Sequence, residues 1–416
     1  MSDVRPDSDI AAGSAASTAE PSTVVGSTSN NQPAMPAPDS AAASTVPPYV
    51  ETKVLATIET VLSVVRHPNA DTLHLATVQG WQVVVGGKNV ESLAGKRVIY
   101  VQTDSVMPEI FSKEVFWQYL RPTYMGRKVI IAKLRGEFSQ GLILEFDSLA
   151  HLFPGVDFDS MEPGTNVTNM LGIIKFYDSN DPEGPAYKAG NPGNVSFAKP
   201  DHLAEWPVFM MKTDQPRLQA NIDLITQAEP SVRVSATVKF DGTSIQWYHQ
   251  NGEFGVCSRN YRIRLESKEE AKDLTLYRSM IGKYDIENKL KRLGRNISIQ
   301  TEMYGADING NAHGLKNVDI AVFDIVDLNT HRFLPHDEVV RLCRELDLPM
   351  VPIVFENQPL LSREIGPWLT LADSLRYKNG AQAEGYVVRV YRADGGFMHS
   401  FKVLSRVYQL KQETKK

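Results

Sequence analysis

From Val54 onward the chain breaks into short runs in which apolar residues alternate with polar ones or cluster: Val54–Val65, Leu73–Val78, Trp81–Gly86, Arg97–Gln102, Lys128–Leu134 and Gly141–Phe146. Runs of this kind read as strands. Turn material separates them, as in His67-Pro-Asn-Ala-Asp71, Gly86-Gly87 and Arg135-Gly136. Several short strands at this spacing predict a small barrel or sandwich over 49–176. Residues 177–206, with Pro182, Gly184, Pro185, Gly190, Pro192, Gly193 and Pro200, are dense in breakers and read as a linker. The remainder, 207–416, mixes strand patterns with helical patches at Lys268–Ser279, Ile286–Leu293 and Asp337–Leu346, an α+β composition. Residues 1–48 are Ala, Ser, Thr, Pro and Gly with scattered acids and no aromatic residue. That is too little apolar surface to offset ordering the backbone, so this segment is expected to be a disordered tail.

Within the second domain, Val232, Val234, Ala236 and Val238 alternate with more polar residues, the period of a half-buried strand. Lys239 falls on the opposite phase and Phe240 resumes the inward one. Asp241-Gly242 then separates this run from Ser244–His249, a turn signal of the hairpin kind. The pattern predicts that Lys239 stands at a strand end facing a cleft. Alone it is weak, because a Lys-x-Asp-Gly string arises by accident in roughly one chain of this length in ten. A surface lysine before a hairpin is the competing reading.

Composition narrows the classes. The chain has 416 residues, 42% hydrophobic and 22% charged, which suits a globular protein of two or three domains. No apolar run approaches the ~20 residues of a membrane span, and no secretory signal is visible, so no membrane partner is expected. Cys257 and Cys343 are the only cysteines, which excludes a disulfide framework and points to a reducing compartment, cytosol or nucleus. The net charge of −5 is unevenly spread. Residues 376–416 hold nine Lys or Arg against Glu384, Asp394 and Glu413, a basic strip able to meet a phosphate backbone or to serve as a solvated tail. Trp81, Lys88, Tyr100 and Lys133 interleave with the first domain's strands. This favours a five-stranded barrel of the oligonucleotide-binding (OB) type. The alternative for Trp81 and Tyr100 is a place in the barrel's core.

Further strings accompany Lys239. Arg259 lies in Cys257-Ser-Arg-Asn260, and Glu302 ends the alternating run Ile297-Ser-Ile-Gln-Thr-Glu302 before Gly305. Phe323 sits in Asp319-Ile-Ala-Val-Phe-Asp-Ile-Val326, Glu384 opens Glu384-Gly-Tyr-Val-Val-Arg389, and Lys402 lies in Ser400-Phe-Lys-Val403. In order and spacing these resemble motifs I, Ia, III, IIIa, IV and V of the covalent nucleotidyltransferases, the superfamily of ATP-dependent ligases and capping enzymes. The resemblance is closest to the ATP-dependent RNA ligases, in the branch with an OB-like module ahead of the catalytic domain. There the module resembles Val54–Phe146, including Gly136-Glu-Phe-Ser-Gln-Gly-Leu142, and Lys212-Thr-Asp-Gln-Pro-Arg217-Leu-Gln219 resembles a string preceding the lysine. DNA ligases and capping enzymes carry their OB domain after motif V, whereas 14 residues follow Lys402. The fold implied is an N-terminal OB-like β-barrel followed by an antiparallel-sheet-based nucleotidyltransferase domain of the ATP-grasp-like ligase type.

The activity implied is joining of a 3′-hydroxyl to a 5′-phosphate. Lys239 attacks the α-phosphate of ATP, pyrophosphate leaves, AMP is held on the lysine and passes to the 5′ end, and the 3′-hydroxyl displaces it. A free lysine has a pKa of ~10.4, so the resemblance implies that desolvation and nearby cations, Lys402 and a bound metal, lower that of Lys239. It further implies that Lys402 contacts the α-phosphate and that Glu384 holds Mg2+ or Mn2+ or orients Lys239. Glu302 would bond the ribose hydroxyls, and Phe323 would stack on adenine. Arg259 would contact ribose or the 5′-phosphate. Val238 belongs to the nucleotide-binding set, and Asp241 and Gly242 shape the turn that presents the lysine. Arg217, Arg259, Lys411 and Trp81 are candidates for nucleic-acid contact. Relatives carry a second lysine two residues after the first, where this chain has Leu404, and Lys411 is the candidate substitute. The partner implied is RNA, as nicked or broken duplex or RNA–DNA hybrid, met by a monomer. The competing readings are a non-catalytic nucleic-acid-binding protein on a ligase scaffold and a DNA end-sealing ligase.

Overall fold

The computed structural model describes residues 51–87, 89–177, 200–212 and 214–415. The tail expected at 1–48, Lys88 and most of the linker expected at 177–206 lie outside the described residues. The first module is built on a five-stranded antiparallel sheet in the order Leu142–Leu144, Arg97–Val101, Ala56–Arg66, Leu73–Val78, Trp81–Gly86. Its long strand Ala56–Arg66 serves both halves, pairing with Arg97–Val101 first and with Leu73–Val78 after an irregularity between Val61 and Ser63. A bulge of this kind bends a strand and increases its twist. The hairpin Ile131–Leu134/Glu137–Gln140 then folds over the edge strand, where Val84 N–H donates to Ser139 Oγ at 3.0 Å and Gln82 Nε2 donates to the Phe138 carbonyl at 2.9 Å. The result is a nearly closed barrel. The short strands Ser105–Met107, Arg121–Thr123 and Gly126–Lys128, with Ile174–Lys175, form a second small sheet that the sequence pattern did not separate from its neighbours.

Trp81 corrects the sequence reading. It is 1% exposed, as is Tyr100, and the two rings stack 5.8 Å apart inside the barrel with Val83 and Val98. The Tyr100 hydroxyl donates to the Gln140 carbonyl at 2.8 Å, so its polar tip is satisfied internally. Neither ring offers a face to a nucleic-acid base.

The second domain has two antiparallel sheets. The larger runs Leu203–Ala204, Arg262–Ile263, Glu253–Cys257, Thr243–Gln250, Ile297–Gly305, Val318–Asp327, Arg332–Phe333. Helices Lys272–Tyr284, Ile286–Leu293 and His336–Glu345 cover one of its faces, burying Trp247, Ile299 and Ile320 against Leu274, Leu290 and Leu342. The smaller sheet runs Ile353–Pro359, Arg233–Lys239, Gly385–Tyr391, Phe397–Leu404, and Trp368 of the helix Ile365–Ser374 packs on it with Val234, Ala236 and Phe401. The period of two along Ile297–Gly305 sends Ile299, Thr301 and Met303 to one face and Gln300, Glu302 and Tyr304 to the other. That second face meets the smaller sheet, and the cleft lies there. The C-terminal helix Arg406–Lys415 ties the parts together. Arg406 pairs with Asp373 and lies over the Phe138 ring, while Glu413 accepts from Lys128 Nζ at 2.8 Å and from Arg121.

Candidate active site

Lys239 ends its strand opposite Gly385. The strand is flanked on both sides and buried on both faces, with Ser235 and Thr237 on the lysine's own phase inaccessible along with Val234, Ala236 and Val238. The half-buried strand expected from alternation is therefore corrected. Its polar phase is covered by the second sheet rather than by water. Thr237 Oγ1 accepts from Arg389 Nη1 at 3.0 Å, and the same guanidinium donates to Asp324 through Nε at 2.6 Å and Nη2 at 2.9 Å and to the Phe323 carbonyl at 2.6 Å. One arginine thus fastens both sheets at the floor of the cleft. That phase opens at the two ends of the strand, at Arg233 and, on the cleft side, at Lys239.

Asp241-Gly242 is not the turn of a hairpin. It carries the chain from one sheet to the other, since Thr243–Gln250 pairs with Ile297–Gly305. The crossing is tight: a Cβ on Gly242 would stand 2.3 Å from the Met303 carbonyl oxygen and 2.9 Å from Glu302 Cγ, so only glycine fits. Asp241 is clasped from both sides. Tyr408 of the C-terminal helix donates its hydroxyl to Asp241 Oδ2 at 2.6 Å, and Asn309 Nδ2 reaches both Asp241 Oδ1 and the Gly242 carbonyl. On the neighbouring strand Gly385 has a positive φ, and a Cβ there would lie 2.0 Å from the Val403 carbonyl. A glycine is required beside Glu384 for that reason.

Lys239 Nζ donates to Glu384 Oε2 at 2.7 Å. Burial works against the lysine's charge, but Glu384, Glu302 and Asp241 outweigh it and hold its pKa above the ordinary lysine value. Three acidic side chains face this amine, the opposite influence to the lowering that the resemblance implies from Lys402 and a bound metal. Glu302, on the opposite wall, is pushed up to about 7 by burial and by Glu384 and Asp241, against the pull of Lys239. Lys402 moves the other way: burial, Arg217 and Lys239 lower its pKa. The cleft therefore holds a charged lysine, a carboxyl poised near neutrality and a second lysine whose pKa burial and neighbouring cations lower.

Val238, Lys239, Gly242, Arg259, Glu302, Phe323 and Lys402 all line one cavity, and Glu384 reaches it through its bond to Lys239. Arg259 is exposed, in the loop after Glu253–Cys257. Lys411 is exposed on the C-terminal helix and is not among the lining residues. Arg217 lies 5.5 Å over the Trp81 ring, and its residue forms a parallel bridge with Lys402, whose N–H donates to the Pro216 carbonyl at 2.9 Å. This contact brings Asp214 and Gln215 to the cavity wall, two residues that the sequence reading placed in a string but gave no role. Tyr408, Asn309, Arg389 and Asp324 also went unassigned, since each acts on the site from another element.

Among the described residues no group of three or more His, Cys, Asp or Glu side chains is placed to hold a metal ion, and no helix is long and apolar enough to cross a membrane. A family model described as RNA ligase matches residues 232–404, and one described as an OB-fold domain matches residues 55–146. No curated protein matches the chain. Among solved structures, it is similar to a variant of the Naegleria gruberi RNA ligase with ATP and Mn, at 29% identity and a TM-score of 0.68, covering 87% of this chain and 100% of that one. It is similar to the same ligase with pyrophosphate, at 28% identity and a TM-score of 0.68, covering 88% and 100%. A variant of that ligase with AMP and Mn gives 28% identity and a TM-score of 0.68, covering 87% and 99%.

Proposed function

Because the chain belongs to the ATP-dependent RNA ligases, with an OB-fold module ahead of the catalytic domain, we propose that it joins a 3′-hydroxyl to a 5′-phosphate of RNA through AMP carried on Lys239. The observation that carries this reading is the pairing of Lys239 with Glu384 at 2.7 Å in a cavity lined by Glu302, Phe323 and Lys402. Lys239 Nζ forms a bond to the α-phosphorus of ATP as the bond to the pyrophosphate oxygen breaks. The amine must lose its proton first, and neutralising the carboxylates that hold it charged frees it. Lys402 sits to offset charge at the α-phosphate, Glu302 to bond the ribose and Phe323 to stack on adenine. Arg259, at the exposed rim, would contact the ribose or the incoming 5′-phosphate.

A hard divalent ion, Mg2+ or Mn2+, takes one or two carboxylates and completes its shell with phosphate and water. Glu384, and Glu302 across the cleft, suit that demand. Such an ion would draw charge from the α-phosphate. Arg217, stacked on the barrel's Trp81 and bridged to Lys402, supports the reading that the OB-fold module reaches the strand from this side. The natural substrate is read as a nick or break in duplex RNA or an RNA–DNA hybrid, sealed by a monomer in RNA repair. Both cysteines are buried and free, as suits the cytosol or nucleus.

Incubation with ATP labelled on its α-phosphate and Mg2+ or Mn2+, followed by denaturing electrophoresis, tests the proposal. Label that survives denaturation, is released by acid and is absent from Lys239→Ala is the expected result. No label from protein freed of bound AMP would overturn it and leave a nucleic-acid-binding protein. Nicks with a deoxyribose or a ribose at the 3′ end then separate DNA from RNA joining.

A further inference from the structure

Tyr377 lies behind the catalytic pair, outside the cavity, and 4% exposed. Its hydroxyl donates to the Lys239 carbonyl at 3.1 Å and accepts from the Glu384 N–H at 3.1 Å. Lys239 and Gly385 are the last register partners of their strands. The tyrosine oxygen therefore stands between the two chains where their own ladder ends, and it satisfies one group on each. The ring is held by a box of aromatic residues. His313 stacks on it at 3.9 Å, and Phe240, itself in contact with Tyr304 and His313, meets it edge-on at 5.6 Å. Tyr377, Phe240 and Ala383 share one core cluster with Val238. Asn379 Nδ2 donates to the Ala312 carbonyl and ties the two loops that carry the stacked rings.

We propose that Tyr377 is a positioning residue for the adenylylation step, its hydroxyl fixing the backbone of Lys239 and of Glu384 at the spacing that lets their side chains meet. The inference rests on the ligase reading above. Catalytic groups lose rate steeply when displaced by an ångström, with costs of ~100-fold. Binding of ATP draws on the cavity walls, to which Tyr377 does not contribute.

The test is Tyr377→Phe, which keeps the ring in its box and removes one oxygen. The expected result is a fall in the single-turnover rate of lysyl-AMP formation at saturating ATP of on the order of ten- to a hundredfold, with the ATP concentration for half-maximal rate little changed. Counting only chains that eventually accept label removes any effect of misfolded protein. Hydrogen exchange supplies a readout that needs no chemistry: the Glu384 amide loses its acceptor, so exchange over residues 383–386 accelerates while the strand Arg233–Lys239 keeps its protection. A saturating rate within about twofold of the parent overturns the proposal, as does unchanged exchange at Glu384. If the parent protein forms no lysyl-AMP while the exchange result holds, it is the ligase reading that has failed and not the placement of Glu384 by Tyr377.

Discussion

Two pairs of opposite charge face the same cleft, Arg389 with Asp324 of the other sheet and Lys239 with Glu384, and the pairs are built for different ends. At the floor, Arg389 and Asp324 are 2% and 3% exposed by side chain, and the arginine meets the carboxylate, a threonine hydroxyl and a carbonyl. At the mouth, Lys239 and Glu384 are 26% and 16% exposed and share a single hydrogen bond. A bidentate pair whose arginine makes four hydrogen bonds is fixed, whereas a single bond beside a cavity can be exchanged for a ligand. Satisfaction and exposure, rather than charge, separate the pair that holds the sheets from the pair that opens to the cavity.

Substitution sharpens the contrast. Lys239→Ala is expected to lower lysyl-AMP formation by ~10³-fold or more and to shift the thermal midpoint by only a few degrees. Asp324→Ala reverses the pattern. Leaving Arg389 buried and unpaired costs roughly 3–5 kcal/mol, measured by urea unfolding, and a loss below about 1 kcal/mol would put this pair with ordinary surface pairs.

Glu302 gives a pH-dependent version. Its folded pKa of about 7 lies above its ordinary 4.5, so the folded state binds the proton more tightly than the unfolded one. Stability from this group is complete below the unfolded value and is lost as pH rises through about 7. The parent should lose more stability between pH 5 and pH 8 than Glu302→Gln, by on the order of 2 kcal/mol. Equal losses would show that Glu302 is ionised in the folded cleft at both pH values. The smallest effect is expected at the junction of module and domain. Glu413→Gln weakens one partner of Lys128 but leaves Asp104 at 2.7 Å, so unfolding shifts by about 1 kcal/mol. A loss several times larger would make Glu413 indispensable to docking.

Much of this was legible in the chain. Lys239, Glu302, Phe323, Glu384 and Lys402 each sit in a local string, and those strings lie on or beside strands that converge on one cavity. The strands Leu73–Val78 and Trp81–Gly86 and the helix Ile286–Leu293 fall where the pattern places them. What sequence did not reveal depends on layers and distance. An aromatic on an alternating strand reads alike whether the next layer is protein or ligand, so Trp81 was open to two readings and the barrel's second wall decided. Alternation along Val232–Val238 implied water on one face, but a second sheet is there. Tyr377, Arg389 and Tyr408 meet their partners 138, 152 and 167 positions away. Two of those three partners carry no distinctive local pattern, one being a backbone carbonyl and the other a threonine hydroxyl.

The arginine at the floor of the cleft also sets a fixed point from which distances in the cleft can be reckoned, as from a pivot. Lys239 stands two residues beyond Thr237, which touches that pivot, so its Cα lies only about 7 Å along the strand from the fastened point. A lever that short moves little: rocking the sheets by 10° about Arg389 would swing the lysine's backbone by roughly 1 Å. Any opening of the two sheets about that point would carry the cavity wall at Arg259 and Asp214 farther than the backbone of Lys239.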